Sequence, residues 1–357
     1  ALQFLKNSPS SGLPYLIRKG LLKDVYLGDF TRLVQRQDAC MLYTRTQEDG
    51  KTRTVWGYPM ADTLNEMRFY RPILEHQRKL KWRSALISPF EVDANVTKII
   101  RECKRLNLWL VSVDFSAYDA SVKKHLQEYA FDYINGLFQP SYIQEIDYIK
   151  ERFNSIGLIT PDGVLNGHHG VPSGSTFTNE VDSIIQYGCA SALGNDMRFC
   201  NIQGDDGVYI VDKPEEFIEG FKRFGLQINL DKSHISKDSV IYLQSLHSVD
   251  YVNEMNLISG IYPSYRALNR ILFPERFDTF SKDGIEGADF YSIRAISILE
   301  NCSNHPLFVD LVKYVANLDR FRLRFSQHGL LKFIQRAEKV SGVEGILKYR
   351  REDFVRS

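Results

Sequence analysis

Two adjacent aspartates, Asp205 and Asp206, lie between apolar runs in the segment "NIQGDDGVYIV" at 201–211. Neighbouring carboxylates repel each other, so one of them resists ionisation unless a cation binds. Upstream, the segment "VDFSAYD" adds the carboxylates of Asp114 and Asp119. Hard oxygen ligands favour Mg²⁺, and such a cluster can hold two ions roughly 3.5–4 Å apart, which activate an attacking oxygen and stabilise a leaving phosphate oxygen. The pattern predicts a Mg²⁺ site, with Mn²⁺ as a substitute ion.

For the Asp-Asp pair alone, a surface turn without a ligand is an equally good interpretation, because Asp and Gly are ordinary turn residues. The carboxylates upstream favour the metal site. Successive side chains of a strand face opposite ways, so both aspartates cannot point at one ion unless the turn re-aims one of them. We therefore predict that Asp205 is the direct ligand and that Asp206 has a secondary role.

The elements around these carboxylates predict an α+β fold. Residues 106–115, "LNLWLVSVDF", form a short apolar run with β-branched residues, which predicts a buried strand that ends near Asp114. If this strand lies beside the hairpin that carries Asp205, the two carboxylates meet at adjacent strand ends. A second hairpin is predicted at 157–165. We expect a small antiparallel sheet with helices on one face.

Helical patterns surround these strands. After the first strand, Leu126, Ala130, Tyr133 and Leu137 recur at helical spacing. A second helix is predicted from Ser175 to Leu193, and a third begins at Pro214 and stops at Gly225. From about residue 265 onward the pattern is mostly helical.

Composition limits the class of partner. The 357 residues suit two or three domains, and 45 basic against 44 acidic residues leave a net charge of +1. Any positive charge that binds a polyanion must therefore be local. The five scattered cysteines show no metal-ligand spacing and suit a reducing compartment. No apolar run approaches the length of a membrane span, so we expect no membrane partner.

Three segments occur in the order of the palm motifs A, B and C of viral RNA-dependent RNA polymerases: "VDFSAYD" at 113–119, "GVPSGSTFTNEVDS" at 170–183 and "QGDDG" at 203–207. The sequence resembles this family, and the amino-acid sequences of the three motifs are similar to those of polymerases of double-stranded RNA viruses of the picobirnavirus and partitivirus type. Of these two types, we favour the picobirnavirus type. The resemblance implies a right-hand polymerase fold, with fingers, a palm that holds an antiparallel sheet, and a helical thumb. It also implies template-directed nucleotidyl transfer in transcription and replication of a viral RNA genome.

The resemblance implies roles for individual residues. Asp114 and Asp205 match the metal-binding aspartates, and Asp206 matches their neighbour. Asp119 matches the position that helps to recognise the ribose 2′-hydroxyl. The matching positions of motif B are Ser173, Gly174 and Thr178.

Basic residues complete the expected site. Lys232, in a segment that resembles motif D, matches a lysine that can donate a proton to the pyrophosphate leaving group. The segment 45–59 resembles motif F, in which basic residues line the path of the incoming nucleotide. Here Lys51 and Arg53 alternate on a predicted strand, and Arg45 can join them. Six Lys and Arg with three interleaved aromatic residues at 68–83 either contact the template or form a solvated basic helix.

One position departs from the wider family pattern. Nine residues after Ser173, many positive-strand RNA virus polymerases have Asn, whereas this chain has Asp182. An ionised Asp cannot donate to a 2′-hydroxyl, and a second carboxylate near Asp119 is repelled. Either Asp182 is turned away or protonated, or Asn179 takes over part of the sugar contact. We expect Asp119 and motif B still to select ribose.

The implied domains and partners follow the family. The implied boundaries are fingers 1–105, palm 106–139, a fingers insertion 140–170, palm 171–262 and thumb 263–357. The implied partners are the RNA template, the product duplex, ribonucleoside triphosphates and a viral capsid protein, in the virion interior or the host cytoplasm.

Two alternative functions remain at this point. A reverse transcriptase shares the palm aspartates but usually has an aromatic residue at the position of Asp119. A non-catalytic RNA-binding or capsid-associated protein could retain a vestigial palm. The preference for template and nucleotide distinguishes a reverse transcriptase from an RNA-dependent RNA polymerase. Binding of two metal ions between Asp114 and Asp205 distinguishes a catalytic palm from a vestigial one.

Overall fold

The structure, a computed structural model, describes residues 1–46, 52–274 and 280–341. Within these ranges the α-helices are α1 Lys23–Gln35, α2 Met60–Gln77, α3 Pro89–Leu106, α4 Tyr118–Ser121, α5 Lys124–Gly136, α6 Ile143–Ser155, α7 Thr178–Ala192, α8 Pro214–Phe221, α9 Ser264–Leu272, α10 Gly287–Leu299, α11 Phe308–Leu318 and α12 Gln327–Ser341. The strands are β1 Cys40–Thr46, β2 Thr52–Gly57, β3 Trp109–Val113, β4 Leu158–Thr160, β5 Gly163–Leu165, β6 Cys200–Gln203, β7 Asp206–Val211, β8 His234–Ser236, β9 Ser239–Tyr242 and β10 Ser245–Ser248.

The chain divides into two compact units. One unit combines residues 1–33 and 46–52 with the residues from 261 onward, and the other comprises 34–45 and 53–260. The described part of the first unit after residue 261 contains α9 to α12, as the helical pattern predicts. Every candidate site residue that the structure describes lies in the second unit. The subdivision into fingers, palm and thumb stays a prediction.

A four-stranded sheet in the order β6-β7-β3-β8 holds the candidate carboxylates. All three pairings are antiparallel, and Val113 of β3 lies opposite Gly207 of β7. The strand that leads into Asp114 is therefore the direct neighbour of the hairpin that carries Asp205. This confirms the predicted arrangement of the two strands.

Helices cover both faces of this sheet, so the prediction of helices on one face is wrong. On one face, Val111 and Val113 join the core formed with α5, α7 and α8. On the other face, Leu110 and Val208 join a core to which α3 contributes an apolar stripe, including Val96. Burial of that stripe requires the second face, because a helix with one apolar side must pack it against another element.

A second sheet has the order β2-β1-β4-β5, with β1 parallel to β4. The hairpin of β4 and β5 confirms the prediction at 157–165. β9 and β10 form a separate antiparallel pair. None of the described helices is long and apolar enough to cross a membrane.

Several predicted boundaries move for local reasons. β3 begins only at Trp109 because α3 extends to Leu106 and Asn107 ends it in a left-handed conformation with φ of 53°. α8 begins at Pro214 as predicted, and Gly225, with φ of 81°, ends the following turn of 3₁₀ helix.

The buried face of α5 differs in part from the predicted one. Leu126 and Ala130 are buried, but Tyr133 is 40% exposed and Leu137 is 37% exposed. Phe131 and Ile134 complete the buried face instead. α5 packs against both α6 and α7, and its buried stripe keeps the helical spacing of four from Leu126 through Ala130 to Ile134.

Candidate active site

Asp114 and Asp205 lie at the same end of the central sheet. Asp114 directly follows the last residue of β3, and Asp205 lies in the turn between β6 and β7, where Gly204 has φ of 65°. Partial burial raises the pKa of Asp114, the nearby Lys232 lowers it and the negative charge of Asp205 raises it. The Asp205 carboxylate is thus close enough to influence the pKa of Asp114.

Lys232 is positioned by a backbone turn that is attached to Asp114. The Asn229 N–H donates to the Asp114 carbonyl at 2.7 Å, and the Asp114 N–H donates to Ser233 Oγ at 3.1 Å. The Ser233 hydroxyl donates in turn to the Asn229 carbonyl at 2.8 Å. These bonds hold the exposed Lys232 beside Asp114, and its positive charge counters the repulsion between the two carboxylates.

Asp206 acts on a different part of the molecule. It begins β7 opposite Gln203, and its negative charge raises the pKa of Tyr242 of β9, after the larger effect of burial. The charge of Asp205 instead influences Asp114, Asp119 and Asp182. Among the described pKa effects, the charge of Asp206 thus acts on Tyr242, and that of Asp205 acts on the neighbouring aspartates.

One face of α7 holds the hairpin that carries Asp205. Asn179 Oδ1 accepts from Gln203 Nε2 at 2.8 Å, Ser183 Oγ accepts from the Gly204 N–H at 2.8 Å, and Gln186 Nε2 donates to the Asp205 carbonyl at 3.1 Å. The three α7 residues are spaced by four and three positions, so they lie on one side of the helix. Polar residues at this spacing in an otherwise buried helix are the sequence signal for this contact.

A buried ion pair supports the same helix. Arg83, in the short 3₁₀ helix Lys81–Leu86, donates through Nη2 to both carboxylate oxygens of Glu180, at 3.0 and 3.2 Å. The side chains of Arg83 and Glu180 are 0% and 1% exposed. Arg83 Nη2 also donates to Asn179 Oδ1 at 3.2 Å. The Asn179 oxygen thus already accepts two hydrogen bonds, which favours a positioning role over a sugar contact.

In the basic stretch at 68–83, Arg68, Arg78, Lys79 and Lys81 are exposed, as the solvated-helix interpretation predicts, but the aromatic residues and Arg83 are not free at the surface. Phe69 is buried, the Tyr70 ring contacts Phe177, and the Trp82 ring lies 4.6 Å from that of Tyr187. Together with the burial of Arg83, these contacts mean that the aromatic rings pack inside the protein rather than on RNA bases. The predicted stacking of these rings on template bases is therefore not supported, whereas the solvated-helix interpretation describes the exposed basic side chains.

Asp119 and Arg53 form an ion pair with Nη2 and Oδ2 at 3.0 Å. Burial raises the pKa of Asp119, whereas the charge and hydrogen bond of Arg53 lower it. The carbonyl of Asp119 accepts from the Val171 N–H at 2.7 Å, which holds the start of motif B against this segment. The structure therefore brings together two residues that were predicted to contact different parts of one nucleotide.

Asp182 is buried beside this pair. Its side chain is 4% exposed, and its Oδ1 has no hydrogen-bond partner among the described residues. Burial raises its pKa well above the ordinary value, and the charges of Asp119 and Asp205 add to the rise. Of the alternatives raised by the sequence, this environment favours the protonated acid, which can donate a hydrogen bond.

The loop before α7 fits closely against β2. Ser173 Oγ accepts from the Trp56 N–H at 3.3 Å, and a Cβ on Gly174 would lie 1.9 Å from the Trp56 carbonyl oxygen. Only glycine permits this approach. The Thr178 hydroxyl donates to the Pro172 carbonyl at 2.8 Å, so it closes the loop rather than facing outward.

Of the other two predicted basic residues, Arg45 and Lys51, the structure describes only Arg45. Arg45 is exposed near the end of β1. Lys51 lies outside the described residues. Both residues stay predicted nucleotide contacts.

The donors that are present fit a metal ion that also binds substrate. Among the described residues, no group of three or more His, Cys, Asp or Glu side chains is close enough to hold a metal ion. Asp114 and Asp205 nevertheless supply two oxygen-donor side chains at one sheet end. Mg²⁺ is commonly bound by one or two carboxylates together with substrate phosphates, and this donor set meets that requirement.

Comparisons with known proteins agree with this geometry. The sequence profile of the family described as viral RNA-dependent RNA polymerase matches residues 35–315. A potential RNA-dependent RNA polymerase of a human picobirnavirus is 30% identical over an alignment 357 residues long, gaps included. This alignment covers 92% of this chain and 65% of that relative. The RNA-directed RNA polymerase of Cryptosporidium parvum virus 1 is 23% identical over 208 residues, with 53% of this chain and 39% of that relative covered.

A solved structure extends the similarity to the fold. The crystal structure of the RNA-dependent RNA polymerase of a human picobirnavirus superposes with a TM-score of 0.80 and 25% identity, covering 95% of this chain and 69% of that one. The right-hand polymerase fold is thereby confirmed, and neither reverse transcriptase nor a non-catalytic RNA-binding protein is supported. The chain spans 65% of the length of its picobirnavirus relative. With the profile matched over most of its length, the chain belongs to the viral RNA-dependent RNA polymerase family.

Proposed function

We propose that the chain catalyses RNA-dependent RNA synthesis. In this reaction a primer 3′-hydroxyl, or that of a first nucleotide, attacks the α-phosphate of an incoming ribonucleotide, and pyrophosphate leaves. The observation that carries the proposal is the meeting of Asp114 and Asp205 at adjacent strand ends, with Lys232 held beside them. Family membership supports the same reaction.

Asp114 and Asp205 are the residues that would hold Mg²⁺, or Mn²⁺ in its place. When bound, the metal would stabilise charge on the attacking and leaving oxygens. Asp206 has a secondary role in this proposal, as the residue that directly follows the ligand Asp205 at the start of β7. The α7 contacts to Gln203, Gly204 and Asp205 keep the ligand-bearing turn in place.

The basic residues bind and neutralise the triphosphate. The guanidinium of Arg53 is suited to a two-pronged grip on phosphate oxygens, and Lys51 and Arg45 are its proposed companions. Lys232 is exposed and cationic beside Asp114, so it can donate a proton as pyrophosphate leaves. Ser173, Gly174 and Thr178 shape the loop that receives the nucleotide.

Asp119 and Asp182 together select ribose in this proposal. The ionised Asp119, held by Arg53, accepts a hydrogen bond from the 2′-hydroxyl, and the neutral Asp182 donates one to it. An Asp182 that donates performs the task of the Asn found in many relatives. Asp119→Ala and Asp182→Ala should each reduce the preference for ribonucleotides over deoxyribonucleotides, and an unchanged preference in both variants would exclude this role.

RNA synthesis on a defined template tests the proposed reaction. Asp205→Asn keeps the size of the side chain but removes its charge, and it should reduce synthesis more than about a hundredfold. The matched control is Asp212→Asn, which makes the same change at an exposed position just past the far end of β7. Synthesis by Asp205→Asn at the rate of the control would refute the assignment.

The proposed partners are the RNA template, the product duplex and ribonucleoside triphosphates. A contact with viral capsid protein, and a location in the virion interior or host cytoplasm, rest on the family resemblance. Co-purification of the chain with the capsid protein of the same virus tests that contact.

A further inference from the structure

A buried glutamate outside the predicted motifs binds the loop before α7. Glu66, on α2, is 2% exposed. Its Oε1 accepts from the Ser175 hydroxyl at 2.8 Å, and its Oε2 accepts from the Thr176 N–H at 2.7 Å and from the Thr176 hydroxyl at 2.8 Å. All three donors belong to the two residues that directly follow Ser173 and Gly174. One carboxylate therefore fixes both the backbone and the side chains of this loop.

This carboxylate is stabilised by hydrogen bonds rather than by an opposite charge. In the part of the chain that the structure describes, no Lys or Arg forms an ion pair with Glu66; the nearby Arg152 of α6 pairs with Asp62 instead. A buried carboxylate without a cation depends on its donors, because each unmet acceptor carries a desolvation cost. The loop and the carboxylate thus hold each other.

The same loop is attached to β2 at its other end. Ser173 Oγ accepts from the Trp56 N–H, and Gly174 lies against the Trp56 carbonyl. Three residues before Trp56 on the same strand, Arg53 pairs with Asp119. A continuous set of contacts therefore connects Glu66 with the residues proposed to bind the triphosphate and the ribose.

We infer that Glu66 is a positioning residue for the incoming nucleotide: its ionised carboxylate holds the loop 173–176 so that Ser173 and Gly174 keep β2, and with it Arg53, in place. This inference rests on the proposed function and deepens it. It assigns to Glu66 a role that acts through the contacts with Ser175 and Thr176.

The charge state of Glu66 changes near neutral pH. Burial raises its pKa to about 7, the hydrogen bonds from Thr176 and Ser175 oppose the rise, and the charge of Asp62 adds to it. The other titratable groups that face it are Tyr58 and Cys40, whose own pKa values are raised by burial, so both stay neutral. On protonation one oxygen of Glu66 becomes a donor, and a Ser175 or Thr176 hydroxyl must reverse its direction. The protonated form therefore holds the loop less firmly.

Kinetics of nucleotide incorporation against pH test this role. At pH 8, Glu66→Gln should raise the KM for the incoming nucleotide about tenfold with little change in kcat, because charge-assisted hydrogen bonds to the loop are lost. Wild-type KM should fall as the pH rises from 6 to 8, and this dependence should be absent from Glu66→Gln. The matched control is Glu151→Gln, since Glu151 accepts from the Ser155 hydroxyl at 3.0 Å on an exposed surface of α6.

A second variant and a second measurement separate this role from a general loss of structure. Thr176→Val keeps the backbone donor and the side-chain shape but removes one hydroxyl donor to Glu66, so it should move the midpoint of the KM profile to higher pH. Amide hydrogen exchange of peptides covering 171–180 should be faster in Glu66→Gln and unchanged in Glu151→Gln, and this measurement requires no catalysis.

The outcomes are distinct. Wild-type KM in Glu66→Gln together with unchanged exchange would overturn the role of Glu66, as would a Thr176→Val profile with the wild-type midpoint. A wild-type chain that makes no RNA would refute the proposed function instead, while the exchange result would still report whether Glu66 holds the loop.

Discussion

Replacement of the buried Arg83–Glu180 ion pair provides the most direct test of how the candidate site is held. Arg83→Met removes the guanidinium and leaves the Glu180 carboxylate buried without its only described ion-pair partner, at a position that is 1% exposed. A buried charge without a partner destabilises a protein by about 3–5 kcal/mol. Arg83 also supplies one of the two donors to Asn179 Oδ1, and loss of that hydrogen bond from a charged donor adds at least about 1.5 kcal/mol.

The double variant measures the coupling free energy between positions 83 and 180. In Arg83→Met/Glu180→Leu no charge remains buried, and two apolar side chains occupy the space, so the penalty of the isolated charge disappears. We expect this variant to lose roughly 1–2 kcal/mol, less than either single variant. The coupling between the two positions should therefore be at least about 2 kcal/mol.

Urea unfolding followed by circular dichroism at pH 8 measures these differences. The surface pair of Arg198 and Asp196 provides the control, because its side chains are 80% and 46% exposed; Arg198→Met should leave stability unchanged. A loss below about 1 kcal/mol for Arg83→Met, or a double variant that loses the sum of the two single losses, would refute the argument.

Three further predictions follow from individual contacts. Gly174→Ala places a Cβ 1.9 Å from the Trp56 carbonyl oxygen, so we expect the free energy of unfolding to fall by about 1–3 kcal/mol and the KM for the nucleotide to rise. Thermal or urea unfolding measures the first effect, and wild-type values of both quantities would show that β2 can move away. Asp182→Asn should stabilise the protein relative to wild type by an amount that grows as the pH rises above about 4, because burial raises the folded-state pKa of Asp182 and the wild-type unfolded chain releases this proton more readily than the folded one. An equal difference in the free energy of unfolding at about pH 4.5 and about pH 8 would contradict this. The preference for ribonucleotides should persist in the variant. The folded-state pKa of Glu66, about 7, lies above the ordinary value of 4.5. The wild-type free energy of unfolding should therefore fall by roughly 3 kcal/mol relative to that of Glu66→Gln as the pH rises from 4.5 to above 7. Parallel curves of stability against pH for the two proteins would show that burial does not raise this pKa.

The sequence alone determined the features that depend on local order. The motif order around Asp114, Ser173 and Asp205 identified the family, and the apolar run before Asp114 together with the Gly-Asp-Asp turn predicted that two strands would meet at their ends. These predictions held because strand alternation, turn chemistry and helix caps act over a few residues. The prediction of helices on a single face failed, because α3 lies before the motifs and its apolar stripe does not reveal which side of the sheet it covers.

Only the tertiary structure decided which polar groups are buried together. Arg83 and Glu180 are separated by 97 residues, and Glu66 and Ser175 by 109, so no local pattern connects them. In sequence Arg83 belongs to a basic stretch, and only its complete burial shows that it supports α7 rather than RNA. The charge state of Asp182 has the same origin: its pKa depends on desolvation and on the charges of Asp119 and Asp205, both of which are set by how distant segments pack.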